Sequence, residues 1–139
     1  MLLNADTGQV IYAKNQDQRL SMASTTNIMT ALIALERAAV QNPVVTVTEE
    51  MVRVEGSSMG LKAGDKLTLK DLAAGMLVVS GNDAANAAAI AVAGSAPKFA
   101  ELMNQRADEI GMGNTHFVTP SGLDDEEHYS CLLYTSRCV

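Results

Sequence analysis

The run Ser24-Thr25-Thr26-Asn27-Ile28-Met29-Thr30-Ala31-Leu32-Ile33-Ala34-Leu35-Glu36 constrains this chain more than any other. It reads as a buried helix with polar groups in its first turn. Ile28, Leu32 and Leu35 fall on one apolar stripe, and Met29 and Ile33 widen it. Ser21 or Ser24 is the expected N-cap. Ser24 and Asn27 are three apart, so a helix sets both on one face within side-chain reach. A hydroxyl with a partner at that spacing becomes a nucleophile only when the partner takes its proton. A neutral carboxamide has no basic lone pair, so Asn27 cannot do so.

The core around this helix must be assembled from small and flexible side chains. Hydrophobic residues make up 47% of the chain but aromatics only 4%, and Trp is absent. Ala, Leu, Val, Ile and eight Met must fill the interior, which implies close helix packing. With 139 residues the chain is one domain or part of one. Ten Lys plus Arg against sixteen Asp plus Glu give a net charge of -6 with no basic run, so nucleic acid is not an expected partner. No stretch reaches the roughly 20 apolar residues that cross a bilayer, and Met1 is followed by no basic start or cleavage site. Membrane association is therefore expected only through segments outside these residues. Both cysteines, Cys131 and Cys138, fall in the last nine positions, so no disulfide framework is expected over residues 1–130.

Taken in order, residues 2–13 read as a hairpin whose turn, Asp6-Thr7-Gly8, uses the permissive backbone of Gly8. Asn42-Pro43 stops the first helix. Residues 44–48 are β-branched enough for a strand, and Thr48-Glu49-Glu50 starts a short helical turn. Residues 61–69 read as a small hairpin around Gly64-Asp65. Thr68 is the expected N-cap of a helix over residues 70–79, with Asp71 in its first turn. Ser80-Gly81-Asn82 breaks that helix, and Asp83 is the expected cap of an alanine-rich helix over residues 84–93. Ser95-Ala96-Pro97 opens another over residues 98–110, with Phe99, Leu102, Met103 and Ile110 inward and Gly111 ending it. Residues 114–118 are extended, and Thr119-Pro120-Ser121-Gly122 is a turn. Residues 124–128 form an acidic, exposed run. His116 and His128 match no metal-ligand spacing, and His128 is expected at the surface; neither a metal nor a cofactor is expected. Residues 131–139 fit no preceding element and read as a tail of separate origin, leaving residues 1–130 as the domain.

A serine before a helix is ordinarily a cap, and Ser80-Gly81-Asn82 alone is an ordinary turn. Their occurrence in this order is more telling, because Ser-x-x-Lys, Ser-Asp-Asn and Lys-Thr-Gly together mark penicillin-binding proteins and class A β-lactamases. Ala23-Ser24-Thr25-Thr26-Asn27-Ile28-Met29-Thr30-Ala31-Leu32, Ser80-Gly81-Asn82-Asp83-Ala84-Ala85, and residues 113–123 resemble the matching blocks of serine-type D-alanyl-D-alanine carboxypeptidases, the low-molecular-mass penicillin-binding proteins. Residues 6–12 are similar to their opening strand turn.

The resemblance implies an α/β (α+β) fold of the β-lactamase/transpeptidase-like type, with N-terminal strands and a helical subdomain but without the C-terminal strands of the sheet. It implies acyl transfer on peptidoglycan stem peptides ending in D-Ala-D-Ala, trapping by β-lactams, and export of the parent enzymes to the periplasm or the outer face of the cytoplasmic membrane. Carried over by position, Ser24 is the acyl nucleophile, Ser80 passes a proton toward the leaving amine, and Asn82 hydrogen-bonds the substrate backbone. Asn27 stands where the family has its general-base Lys. The 139 residues also contain no Lys-Thr-Gly, the strand motif that in the family holds the substrate carboxylate and completes the oxyanion hole. Both departures imply that this chain is inactive, and that Asn27→Lys alone leaves it so. The alternatives are a pseudoenzyme that binds cell-wall peptides or β-lactams without cutting them, and a fragment of a class A-like β-lactamase.

Overall fold

The computed structural model describes residues 1–131, so Cys138 and all but the first residue of the expected tail lie outside the described residues. The chain opens with strand β1 (Leu2–Leu3) paired antiparallel to β2 (Val10–Tyr12), with Gly8 at φ 71° in the turn. A 3-10 turn at Ala23–Thr25 runs directly into helix α1 (Thr26–Val40). Then come β3 (Val44–Thr46), α2 (Glu49–Val52), β4 (Lys66–Thr68), α3 (Leu69–Val79), α4 (Asn82–Ala93) and α5 (Ala96–Glu109). After α5 the chain folds back toward its start, where His116 bridges Tyr129 and Leu20 bridges Ser130. The result is a mixed helix and small-sheet architecture.

Packing is built on alanine. On α4, Ala84, Ala85, Ala87 and Ala88 are wholly buried in one cluster with Ala31, Ala34 and Ala38 of α1 and Leu72, Ala73 and Met76 of α3, while Ala89, equally buried, belongs to a second cluster. Small side chains on facing helices are what permit axes at the near end of the usual separation of about 8–10 Å. The second cluster joins Met29 and Ile33 of α1 to Phe99 and Met103 of α5 and to Phe117. Arg106 of α5 ties the two helices at the surface through Glu36 at 2.7 Å.

Five local expectations are corrected. The stripe of α1 is not the buried face: Ile28 is 56% exposed and Leu35 40%, while Thr26, Asn27, Thr30, Ala31 and Ala34 are buried. The close approach of α4 selects the face with the smallest side chains and leaves Ile28 and Leu35 outward, while Met29 and Ile33 are buried toward α5 as expected. Neither Ser21 nor Ser24 caps α1, since the 3-10 turn already continues its backbone. Residues 61–69 do not form their own hairpin. β4 pairs instead with β3, Val45 opposite Leu67, and Gly64 and Asp65 close the turn through backbone bonds to Val47. Asp83 lies inside α4 rather than capping it, because Gly81 holds the cap position and the Asp83 carboxylate is used elsewhere. On α5, Leu102 is 37% exposed rather than inward.

Other expectations hold. Thr68 accepts the Asp71 N–H and Asp71 returns the bond to Thr68, a capping box that holds the Asp71 carboxyl below its ordinary range. Ser95 caps α5 through the Lys98 N–H.

Candidate active site

Two segments far apart in sequence meet at the start of α1. Ser24 sits exposed in the 3-10 turn, and its hydroxyl makes no hydrogen bond with the described residues. Asn27, in the first turn of α1, is 2% exposed, and its Nδ2 donates to Ser80 Oγ at 3.3 Å. Its Oδ1 is buried with no hydrogen-bond partner among the described residues. Ser80 ends α3 in the left-handed region, φ 57° and ψ 37°, and its N–H bonds to the Gly75 carbonyl. Gly81 N–H also reaches the Gly75 carbonyl, so the helix closes with a paired C-terminal motif that glycine usually supplies.

Asn82 begins α4 and is not joined to the other three by any hydrogen bond among the described residues. Its Nδ2 donates to the Glu55 carbonyl at 2.7 Å and its N–H to the Ser57 carbonyl at 2.7 Å. Next to it, Asp83 is 2% exposed and receives Ser58 Oγ, the N–H groups of Met59, Gly60 and Leu61, and its neighbour Ala84 N–H. Burial pushes the Asp83 carboxyl up, but the donors outweigh it and hold it below its ordinary value. Asn82 and Asp83 therefore fix the loop 55–61 beside Ser80.

Three non-glycine residues have positive φ among the described residues: Asn15, Ala23 and Ser80. Asn tolerates that conformation. The other two flank the site, where local strain concentrates when geometry matters more than stability. Ala23, at φ 45°, directly precedes Ser24. Against it lies Gly122, at φ 82°. A Cβ there would overlap the Ala23 carbonyl and stand 2.7 Å from Thr26 Oγ1.

The turn bearing Gly122 is docked on α1 by further bonds. Thr30 Oγ1 donates to the Pro120 carbonyl at 2.6 Å, and Thr26 Oγ1 lies 2.9 Å from His128 Nε2. His128 is 1% exposed, which corrects the expectation of a surface residue. It leaves the acidic run and turns inward against the edge of Phe117. Sequence reasoning missed Ala23, Thr26, Gly122 and His128 as parts of this site. The Pro120-Ser121-Gly122 signature announced a turn but not what that turn touches. Nothing local distinguished His128 from its charged neighbours.

An apolar groove of about 460 Å³, lined by Leu20, Met22, Ile28, Met29, Leu32 and Phe117 among others, lies beside the start of α1. It touches Thr25 but none of Ser24, Asn27, Ser80 and Asn82. Among the described residues no cluster of three or more His, Cys, Asp or Glu is placed to hold a metal ion, and no helix is long and apolar enough to cross a membrane.

With this geometry in hand, comparison with known proteins is specific. A family profile described as D-alanyl-D-alanine carboxypeptidase matches residues 1–134. D-alanyl-D-alanine carboxypeptidase DacF of Bacillus subtilis (strain 168) is 40% identical over 134 residues, covering 94% of this chain and 34% of that protein. DacA of Haemophilus influenzae is 37% identical over 137 residues, covering 94% and 35%. Among solved structures, DacD from Francisella tularensis superposes with a TM-score of 0.90 at 39% identity, covering 97% of this chain and 34% of that one. The Streptomyces K15 DD-transpeptidase superposes with a TM-score of 0.84 at 31% identity, covering 97% and 58%. The fold is thus penicillin-binding, transpeptidase-like, and present here as part of a domain. The chain spans about a third of the length of the curated relatives it matches. On its sequence and its fold alike, it belongs to the D-alanyl-D-alanine carboxypeptidase family.

Proposed function

We propose that this chain carries the nucleophile-bearing part of a serine D-Ala-D-Ala carboxypeptidase of the exported cell-wall kind, with the general base of that site replaced. The observation that carries the reading is the contact between Asn27 and Ser80, which brings the Ser24 and Ser80 motifs to one place. In the proposed chemistry of the parent site, a basic side chain at position 27 takes the Ser24 proton as Ser24 Oγ attacks the penultimate D-alanine carbonyl of a peptidoglycan stem peptide. The C–N bond breaks as Ser80 passes a proton to the leaving amine, and water then hydrolyses the Ser24 ester. Asn82 would bind the substrate backbone once its carboxamide turns from the Glu55 carbonyl. A β-lactam would acylate the same serine.

Asn27 cannot remove the Ser24 proton, and loss of a positioned general base costs about 10²- to 10⁴-fold. The 139-residue chain is therefore expected to take no covalent label from a fluorescent penicillin, and labelling at Ser24 would overturn the claim that its base is missing. The positive arm uses a hybrid in which residues 1–134 replace the matching segment of the Bacillus subtilis relative. The hybrid with Asn27 should stay unlabelled. Asn27→Lys should restore labelling, and Ser24→Ala should abolish it again. A folded Asn27→Lys hybrid that takes no label would reject the assignment of Ser24.

Asn27 also favours a second reading, a site that binds D-Ala-D-Ala peptides without turnover. Saturable equilibrium binding of such a peptide by the unmodified chain, lost in Ser24→Trp, would support it. The class A β-lactamase alternative draws no support from the matched relatives, which are carboxypeptidases.

A further inference from the structure

The buried ring of His128 has only one workable protonation state. Its Nδ1 lies 3.0 Å from the Val118 N–H and 3.4 Å from the Thr119 N–H. Backbone amides only donate, so Nδ1 is the bare acceptor nitrogen and the ring proton sits on Nε2. Nε2–H then donates to Thr26 Oγ1 at 2.9 Å. A neutral imidazole therefore ties the segment at 118–119 to the first turn of α1. The same segment continues into Pro120, held by Thr30 Oγ1, and into Gly122, whose backbone abuts the carbonyl of Ala23. Gly122 N–H is itself held by Thr119 Oγ1 at 3.1 Å. The strained residue before Ser24 is thus backed by a turn whose anchor is His128.

We propose that His128 is a positioning residue which, through Thr26 and the turn 118–122, holds Ala23 in its left-handed conformation and so sets the direction of Ser24, and that proton binding to His128 releases this hold. The proposal rests on the reading of Ser24 as the nucleophile for its functional meaning, but not for its physical test. An imidazolium would point an Nδ1–H at two amide donors. Neither bond could form, and the turn would lose its anchor. The charged and titratable groups around the ring are Asp124 and Asp125 on the acidic run and His116 across the bridge. Burial works against the proton, helped by His116 and opposed by the two carboxylates, and the ring's proton affinity is lowered overall.

The test is made on the 139-residue protein by nitrogen-resolved NMR of the imidazole and by residue-resolved amide hydrogen exchange, corrected for intrinsic rates, from pH 7.5 to 5. His128 should be the Nε2–H tautomer at pH 7.5. On acidification, exchange at residues 24–27 and 118–122 should quicken by about 10-fold or more while α4 stays protected, the pattern of local rather than global opening. Thr26→Val should give the fast local exchange already at pH 7.5. His128→Gln should remove its pH dependence.

An Nδ1–H tautomer, exchange at residues 24–27 indifferent to pH and to both variants, or loss of α4 protection in step with the turn would each overturn the proposal, the last by reducing His128 to general stability. The penicillin-labelled hybrid separates the two readings. Local release on acidification without any labelling of the Asn27→Lys hybrid would reject Ser24 as nucleophile and leave the His128 latch standing.

Discussion

Gly122 shows how narrowly single residues are specified around Ser24. Two conditions meet there: a φ of 82°, which an L side chain resists, and a backbone approach to Ala23 that leaves no room for a Cβ. Gly94, at φ 83°, meets only the first condition, since a Cβ there would find open space. Gly94→Ala should therefore cost about 1–2 kcal/mol, the ordinary penalty of the left-handed region. Gly122→Ala should cost distinctly more, about 3 kcal/mol or above once overlap with backbone is added. Urea unfolding of the two variants measures the difference, and equal losses would mean that Ala23 moves aside freely. Ser24, Asn27 and Ser80 were legible in the sequence because their signal lies in spacing within short motifs. Ala23, Thr26 and His128 were not, because their roles depend on contacts between segments about a hundred residues apart, which no local pattern encodes.

At the scale of elements, the two-residue step Asn82-Asp83 does the work of a bracket. Asp83 gathers the donors of residues 58–61, and Asn82 adds the carbonyls of Glu55 and Ser57, so a segment with no regular structure is held against the start of α4. Replacing Asp83 by Ala strands several amide donors and should cost about 2–4 kcal/mol, since hydrogen bonds to a charged group are worth more than neutral ones. Proteolysis should then cut first within residues 55–61; unchanged cleavage sites would show that the loop is held by other means. Helices were legible where caps and breakers spoke plainly, as at Thr68, Ser95 and Gly111. Which face of α1 is buried was not legible, because hydrophobicity ranks Ile28 and Leu35 above alanine, whereas the packing of α4 ranks side chains by size. The pairing of β3 with β4 was missed for a related reason. A turn at Gly64-Asp65 is visible in sequence, but the strand that answers β4 lies twenty residues upstream, across α2.

For the whole molecule, acid should act in two steps whose signs follow from the folded environment. His128 is neutral in the fold and burial lowers its proton affinity, whereas an unfolded histidine binds a proton near pH 6.5. Below that pH the unfolded chain holds more protons than the folded one, so this contribution is complete above about pH 6.5 and is lost as pH falls toward the lower folded value. Asp71 and Asp83 are also held low, and their contribution is present above the unfolded carboxylate value of about 3.9 and lost beneath it. Thermal midpoints should be level above neutrality, decline below about pH 6.5, and decline again in the carboxylate range. The first decline should be absent in His128→Gln. A midpoint that rises on mild acidification would contradict the buried neutral ring.

The wholly buried alanines of α4 have one more consequence. An alanine has no rotamer to change, so the gap between α1 and the α3–α4 corner is fixed by main-chain thickness and not by adjustable side chains. Asn27 rides on one wall of that gap and Ser80 on the corner opposite. Their separation is therefore a property of the scaffold, as a ruler's is of its metal. A longer side chain placed at position 27 would meet Ser80 across a gap that the scaffold, and not the side chain, sets.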